Sequence, residues 1–188
     1  MIPALTHSGV LPPFVGASSA DAGMSPYSAT MLEMAVKFCT TAHRAQLFRG
    51  LLSYRQALLS LGLTGAQWLD GSFCEDIERN QGRPPSDIDV VTLLVRPPAL
   101  FSLTAWAAAI TSNAAVFDRT QAKTTFHCDP FFVDIGLPAA LVFGQLTYYF
   151  GLFTHQRVSY LWKGLVQVPL PGDDADALQY LNSATFPP

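Results

Sequence analysis

The segment from Asp87 to Val95 constrains the fold more than any other part of the chain. Its sequence is DIDVVTLLV, so the apolar run after Asp89 is nearly continuous until Pro97-Pro98 ends it. Such a run, without regular polar alternation, is typical of a β-strand that is buried on both faces. The sequence therefore predicts a sheet that is covered by helices.

Helical periodicity is clearest in the first third of the chain. Ser28 is a plausible N-cap, and four apolar residues follow at helical spacing: Met31, Met34, Ala35 and Phe38. A second helix is predicted over residues 42–61, broadly apolar on one side, with three arginines on the other: Arg44, Arg49 and Arg55. Further helices are predicted at about 99–113, around 148–153 and at 173–181.

Strands are predicted at residues 66–69, 124–136 and 163–168, in addition to the central one. The order is two helices and then strands separated by helices, which indicates an α/β or α+β domain. Residues 1–27 lack a helical period and contain Pro12-Pro13, so we expect an arm packed on the body. Residues 28–188 are then a single domain.

The composition limits the classes of function. Only 13% of the 188 residues are charged, about half of the usual ~25%, and the net charge is −3. This balance argues against binding duplex DNA. A weakly charged surface favours a protein partner or a homo-oligomer. The three cysteines are widely spaced, which predicts buried thiols in a reducing compartment rather than disulfides or a zinc site.

Two uncharged segments, residues 97–117 and 135–154, are long enough to cross a bilayer. Both are interrupted by polar residues or glycines, which is more typical of helices that cover a sheet. The N-terminus lacks the basic region of a signal peptide. We therefore expect a cytoplasmic protein that does not bind a membrane.

Asp87 and Asp89 are the first candidate functional residues. Residues two apart in a strand point to the same face, with Cα atoms roughly 6.6 Å apart. Two carboxylates in this arrangement can bind a hard divalent cation through oxygen ligands. The alternative is that both are simply solvated at the end of the strand.

Gly71-Ser72 and a third acidic residue complete the candidate set. A glycine at the end of a strand allows close approach of a ligand, and the amides at the start of a helix favour an anion such as a triphosphate. The alternative is an ordinary turn. The third carboxylate is Asp129 or Asp134, which are five residues apart and therefore face opposite sides of a regular strand.

Together these motifs resemble the nucleotidyltransferases of the DNA polymerase β superfamily. The matching sequences are LDGSF at 69–73 and SDIDV at 86–90, followed by a carboxylate on a later strand. The arm and the tail around residues 153–164 are similar to a small bacterial branch of that superfamily. The resemblance implies a minimal nucleotidyltransferase fold, with a short mixed sheet flanked by helices.

The resemblance also implies a reaction: transfer of a nucleoside monophosphate from an NTP such as ATP to a hydroxyl of a protein, an RNA or a small molecule. Asp87, Asp89 and the third carboxylate would hold Mg²⁺ or Mn²⁺, and Gly71 and Ser72 would bind the phosphates. The sequence FHCDPFFV resembles the branch's third aspartate, which favours Asp129 over Asp134. Lys163, Arg157 and Lys123 are further candidates for phosphate contacts, although a surface position is the plainer interpretation of all three.

One departure from the family pattern supports an alternative function. Many members carry a basic residue soon after the Gly-Ser pair, but this chain has Glu75, Asp76 and Glu78. Acidic residues beside a triphosphate are unfavourable unless they point away or cap a helix. The alternative is a catalytically silent protein that keeps the fold and binds a partner, as in a toxin–antitoxin or defence pair.

Overall fold

The computed structural model describes residues 1–16, 23–156 and 159–188. Five strands form one sheet in the order β1-β5-β2-β3-β4. Their bounds are Tyr27–Ser28 for β1, Thr64–Asp70 for β2, Ile88–Val95 for β3, Cys128–Asp134 for β4 and Val166–Leu170 for β5. β1 is parallel to β5 and β3 is parallel to β4, whereas β2 is antiparallel to both of its neighbours. The sheet is therefore mixed.

Helices lie on both sides of this sheet. They are α1 (Met31–Phe38), α2 (Ala42–Ser60), α3 (Ile77–Gln81), α4 (Leu103–Ser112), α5 (Ala114–Phe117), α6 (Arg119–Phe126), α7 (Ala139–Phe153) and α8 (Asp174–Ser183). Short 3₁₀ turns occur at Ser72–Cys74 and Pro98–Leu100. The mixed α+β class and the short mixed sheet flanked by helices are as the sequence predicts.

Strand β3 is buried on both faces, which confirms the first prediction. Ile88, Val90 and Leu94 pack into the main core with α1, α2 and α8. Val91 faces the opposite side, where a smaller cluster is covered by partly buried residues of α7. Asp89 has the same parity as Val91, so it lies at the end of the face that α7 covers.

Helix α1 follows its predicted pattern but begins later than predicted. Its four periodic residues, Met31, Met34, Ala35 and Phe38, are all buried. The N-cap is Thr30, not Ser28, because Thr30 and Glu33 form a reciprocal capping box, whereas Ser28 belongs to β1. In the N-terminal arm, Ile2, Val10 and Leu11 are buried in the body.

The prediction that the arginines of α2 lie on its outer face is wrong for two of them. Arg44 and Arg55 are buried. The Arg55 guanidinium is ion-paired with Asp174 of α8 and donates to Gln67 Oε1 at 2.7 Å and to the Pro169 carbonyl at 2.8 Å. Burial is tolerated because these partners satisfy its donors.

Two strand boundaries also differ from the prediction. The predicted strand at 124–136 includes the last turn of α6, which continues to Phe126 and ends at His127 in the left-handed region (φ 55°). The late strand begins at Val166 rather than at 163. Cys39, Cys74 and Cys128 are free and buried, as predicted. In the described parts of the chain, no helix combines the length and apolarity that a bilayer span requires.

Candidate functional site

A polar cavity of about 660 Å³ opens where β2 ends and where β3 and β4 begin. Because β2 is antiparallel to β3, its carboxyl end meets the amino ends of the other two strands. The cavity is lined by all the residues assigned to the site from the sequence: Gly71, Ser72, Asp87, Asp89, Asp129 and Lys163. The fold therefore brings together residues up to 92 positions apart in the printed sequence.

Three carboxylates form a row across the sheet at this cavity. Asp70 of β2 is paired with Asp89 of β3, and Asp89 is paired with Asp129 of β4. Directly paired residues of adjacent strands point to the same face, with strands about 4.8 Å apart. Asp87 also lines the cavity and directly precedes β3. The row defines the acidic floor of the site.

Asp134 lies at the opposite end of β4 from this row. It is paired with Leu94, and it forms an ion pair with Arg96 at 2.7 Å. Of the two alternatives for the third carboxylate, the structure brings Asp129 to Asp89 and leaves Asp134 outside the cavity lining.

Gly71 joins β2 to the 3₁₀ turn that begins with Ser72. Its backbone angles, φ 77° and ψ −166°, lie in a region that residues with a Cβ rarely adopt. A Cβ at this position would collide with the carboxylate of Asp89. Glycine therefore allows the turn to approach the acidic row closely.

Lys163 forms a buried ion cluster with two acids. Its ammonium lies 2.9 Å from Asp70 Oδ2 and 2.7 Å from Glu75 Oε1. Burial raises the pKa of Asp70 to about 6, although the Lys163 charge acts in the opposite direction. Burial alone would lower the pKa of Lys163, but the two carboxylates outweigh it and raise this pKa. The expected surface position of Lys163 is therefore wrong, and its role in phosphate binding stays a prediction.

Asp89 differs from its two neighbours in the row. Burial raises its pKa to about 7, and the negative charges of Asp70, Asp87 and Asp129 add to this effect. No described residue forms a hydrogen bond or an ion pair with its carboxylate. Its charge is thus the least compensated in the cavity.

Asp129 is held by two cations of helix α6. Arg119 Nε and Nη2 donate to its two carboxylate oxygens at 2.6 and 2.7 Å, and Lys123 Nζ lies 2.8 Å away. Lys123 Nζ also lies 3.0 Å from Asp87 Oδ2. Burial would raise the pKa of Asp129, but the bonds from Arg119 and Lys123 outweigh it and lower this pKa.

Hard divalent cations prefer carboxylate oxygens as ligands, and the side chains of Asp87, Asp89 and Asp129 supply such oxygens. As arranged, however, the described residues contain no group of three or more His, Cys, Asp or Glu side chains that could hold a metal ion. The ammonium of Lys123 takes the place between Asp87 and Asp129. The side chain of Lys123 is 42% exposed. The carboxylates of Asp87, Asp89 and Asp129 suit Mg²⁺ or Mn²⁺ by their chemistry, although not in their present arrangement.

Two of the three acids that follow the Gly-Ser pair are neutralised within the protein. Glu75 is bonded to Lys163, and Gln156 Nε2 also donates to it at 2.6 Å. Glu78 accepts two hydrogen bonds from Arg44, whose guanidinium also donates to the carbonyls of Phe73 and Glu75 at 2.7 Å. Glu75 and Glu78 therefore stabilise the turn through these contacts, and neither presents an uncompensated charge to the cavity.

Residues 3–169 match the model of DUF6932, which is described as a family of unknown function. The chain belongs to DUF6932. The DUF6932 match includes β2, β3 and β4 and ends within β5, so every residue assigned to the site lies inside it. A search of curated proteins and a search of solved structures each gave no match to this chain. The DUF6932 description assigns no activity.

The sequence analysis did not identify several residues of this DUF6932 site. Asp70 stands directly before Gly71 in the quoted motif, and its pairing with Asp89 follows only from the strand register. Arg119 was missed together with helix α6, although Asp118 is a preferred N-cap residue type and Arg119 and Lys123 have a helical spacing. Arg157 lies outside the described residues.

Proposed function

We propose that this protein is a metal-dependent nucleotidyltransferase that moves a nucleoside monophosphate from an NTP to a hydroxyl acceptor. The observation that carries the proposal is the parallel pairing of Asp89 with Asp129, opposite the glycine-opened turn at Ser72. The resemblance to the DNA polymerase β superfamily implies this combination of a Gly-Ser turn and carboxylates on neighbouring strands.

The cavity offers separate regions for the two charged parts of the reaction. Ser72 and the backbone amides after Gly71 would bind the β- and γ-phosphates. Asp87, Asp89 and Asp129 would hold Mg²⁺ or Mn²⁺. Bound there, the cation offsets the charge on the α-phosphoryl group and on the departing pyrophosphate.

The step is an in-line displacement at the α-phosphorus. The acceptor oxygen forms a bond to this phosphorus, the bond to the bridging oxygen of the β-phosphate breaks, and pyrophosphate leaves with the electron pair. The proton of the acceptor hydroxyl passes to a carboxylate of the row. The resemblance to the superfamily implies that this carboxylate is the third one of the motif, Asp129.

The position of the label tests this reaction. The protein is incubated with Mg²⁺, a cell extract and each of the four common NTPs, labelled either in the α- or in the γ-phosphate. We expect α-label, and not γ-label, to move to protein, RNA or a small molecule, and Asp89→Asn to abolish the transfer. Transfer of γ-label would indicate a phosphotransferase, and no transfer from any NTP contradicts the proposal.

One set of observations favours the alternative, a catalytically silent interaction protein. Asp129 is already neutralised by the chain's own cations, and the outer face of α7 exposes Leu141, Phe143 and Tyr148. This alternative predicts that Phe143→Ser changes the state of association measured by sedimentation, while Asp89→Asn does not. The nucleotidyltransferase proposal requires an effect of Asp89→Asn on nucleotide-dependent readouts.

A further inference from the structure

Lys123 is a cation of the cavity wall that contacts two of the proposed metal ligands at once. Its ammonium lies 3.0 Å from Asp87 Oδ2 and 2.8 Å from Asp129 Oδ2. A point charge between two carboxylates is the arrangement that a bound divalent cation would also adopt. Lys123 and a metal ion therefore compete for the same oxygens.

Two other cations of the cavity wall, Lys163 and Arg119, are held by contacts that Lys123 lacks. Lys163 is buried between Asp70 and Glu75. Arg119 makes a bidentate pair with Asp129 and stacks on Phe131 at 4.4 Å, which fixes its plane. Arg83 donates to Gln81 and Pro84 within its own loop.

Lys123 has the mobility that an exchange of partners needs. Its flexible stem begins on α6, its side chain is 42% exposed, and it makes single-point contacts rather than a planar fork. When a divalent cation occupies the carboxylates, the ammonium loses both of its partners. A triphosphate in the same cavity then offers the nearest complementary charge.

We propose that the ammonium of Lys123 occupies the position between Asp87 and Asp129 in the free protein. When the metal binds there, the ammonium leaves these carboxylates and contacts the triphosphate instead. The inference rests on the proposed function and adds a residue to it. Binding of the metal frees Lys123 for the triphosphate, and binding of the triphosphate to Lys123 frees the carboxylates for the metal. The two ligands therefore bind cooperatively, and each binds weakly alone.

Binding of Mn²⁺ alone tests this exchange, with Lys123→Met and Lys123→Gln as variants and Lys37→Met as the matched control. Lys37 lies on α1 and does not line the cavity. Bound Mn²⁺ is measured from the loss of the electron paramagnetic resonance signal of the free ion. We expect both Lys123 variants to bind Mn²⁺ about fivefold or more tightly than the wild type, because the competing charge is gone.

The second measurement uses the preformed complex of Mn²⁺ with inorganic tripolyphosphate, which avoids any base preference. Here the Lys123 variants should bind about fivefold or more weakly than the wild type and Lys37→Met, measured by thermal shift. Opposite effects on the two ligands are the signature of exchange, since a merely structural loss would weaken both.

The outcomes separate this inference from the proposed function. If Asp89→Asn abolishes Mn²⁺ binding but the Lys123 variants bind Mn²⁺ no more tightly than the wild type, the exchange is wrong and the metal site stands. If no form binds Mn²⁺, or if Asp89→Asn leaves binding unchanged, the metal site itself is wrong and the exchange is overturned with it.

Discussion

Asp89 and Asp129 are direct partners in the parallel register of β3 and β4, yet only Asp129 is bonded to cations of the described chain. Burial, with the negative charges of Asp70, Asp87 and Asp129, raises the pKa of Asp89 to about 7, whereas the bonds from Arg119 and Lys123 outweigh burial and lower the pKa of Asp129. The uncompensated negative charge of Asp89 lowers the stability of the folded protein when no cation is bound. It is well suited to binding a cation, and this contrast gives rise to the first prediction.

Asp89→Asn should stabilise the metal-free protein at pH 8 and have little effect near pH 4. The folded pKa of Asp89 lies above its ordinary value of 3.8, so the folded state holds a proton that the unfolded state releases. Stability is therefore lost as the pH rises between about 4 and 7. Asparagine removes this loss, and the gain at pH 8 should be roughly 1–3 kcal/mol in urea unfolding.

The control for this pH profile is Asp176→Asn, an exposed position on α8. Because Asp176 lies in the first turn of α8, its removal should lower the unfolding free energy at pH 8 by no more than about 1 kcal/mol, opposite in sign to the effect of Asp89→Asn. An equal effect of Asp89→Asn at pH 4 and pH 8 would show that the charge of Asp89 is compensated in the folded protein.

Gly71→Ala should destabilise the protein because the added Cβ meets the Asp89 carboxylate in a backbone region that alanine disfavours. We expect a loss of about 1–3 kcal/mol in urea unfolding. Gly82→Ala is the matched control, since Gly82 also has a positive φ, of 64°, but has open space around it. In an Asp89→Ala background the penalty of Gly71→Ala should shrink, and additive penalties would refute the contact.

Lys163→Met should destabilise the protein by about 3–5 kcal/mol, because it leaves Asp70 and Glu75 buried without their cation. The loss should be smaller at pH 5 than at pH 8, since Asp70, with a pKa of about 6 even beside Lys163, can then take up a proton. Adding Asp70→Asn and Glu75→Gln to Lys163→Met should restore much of the stability. A Lys163→Met protein as stable as the wild type would mean that the cluster does not form.

The parts of the fold that follow from local pattern could be predicted from the sequence. The spacing of Met31, Met34, Ala35 and Phe38 specifies the buried face of α1, and the nearly continuous apolar run of β3 specifies its burial on both faces. Parity shows that Asp129 and Asp134 cannot both face the site, because residues five apart in a strand face opposite sides. The resemblance of FHCDPFFV to the superfamily branch, and not parity, favoured Asp129.

The features that were missed depend on contacts between distant residues. Lys163 was expected at the surface because its partners, Asp70 and Glu75, are 93 and 88 residues away. Arg55 is buried for the same reason, since Asp174 lies 119 residues further along the chain. Helix α6 was not predicted, and its last turn was assigned to a strand, because His127, and not a glycine, adopts the left-handed conformation that ends the helix.

The most direct measurement of the central claim is the thermal shift that Mg²⁺ with each common NTP produces in three proteins: the wild type, Asp89→Asn and Asp134→Asn. Asp134 is the matched control because it lies on the same strand as Asp129 but outside the cavity lining. With at least one NTP, the melting temperature of the wild type and of Asp134→Asn should rise by about 5 °C, and that of Asp89→Asn should not change. A wild type that responds to no NTP, or an Asp89→Asn protein that responds equally, would contradict the account.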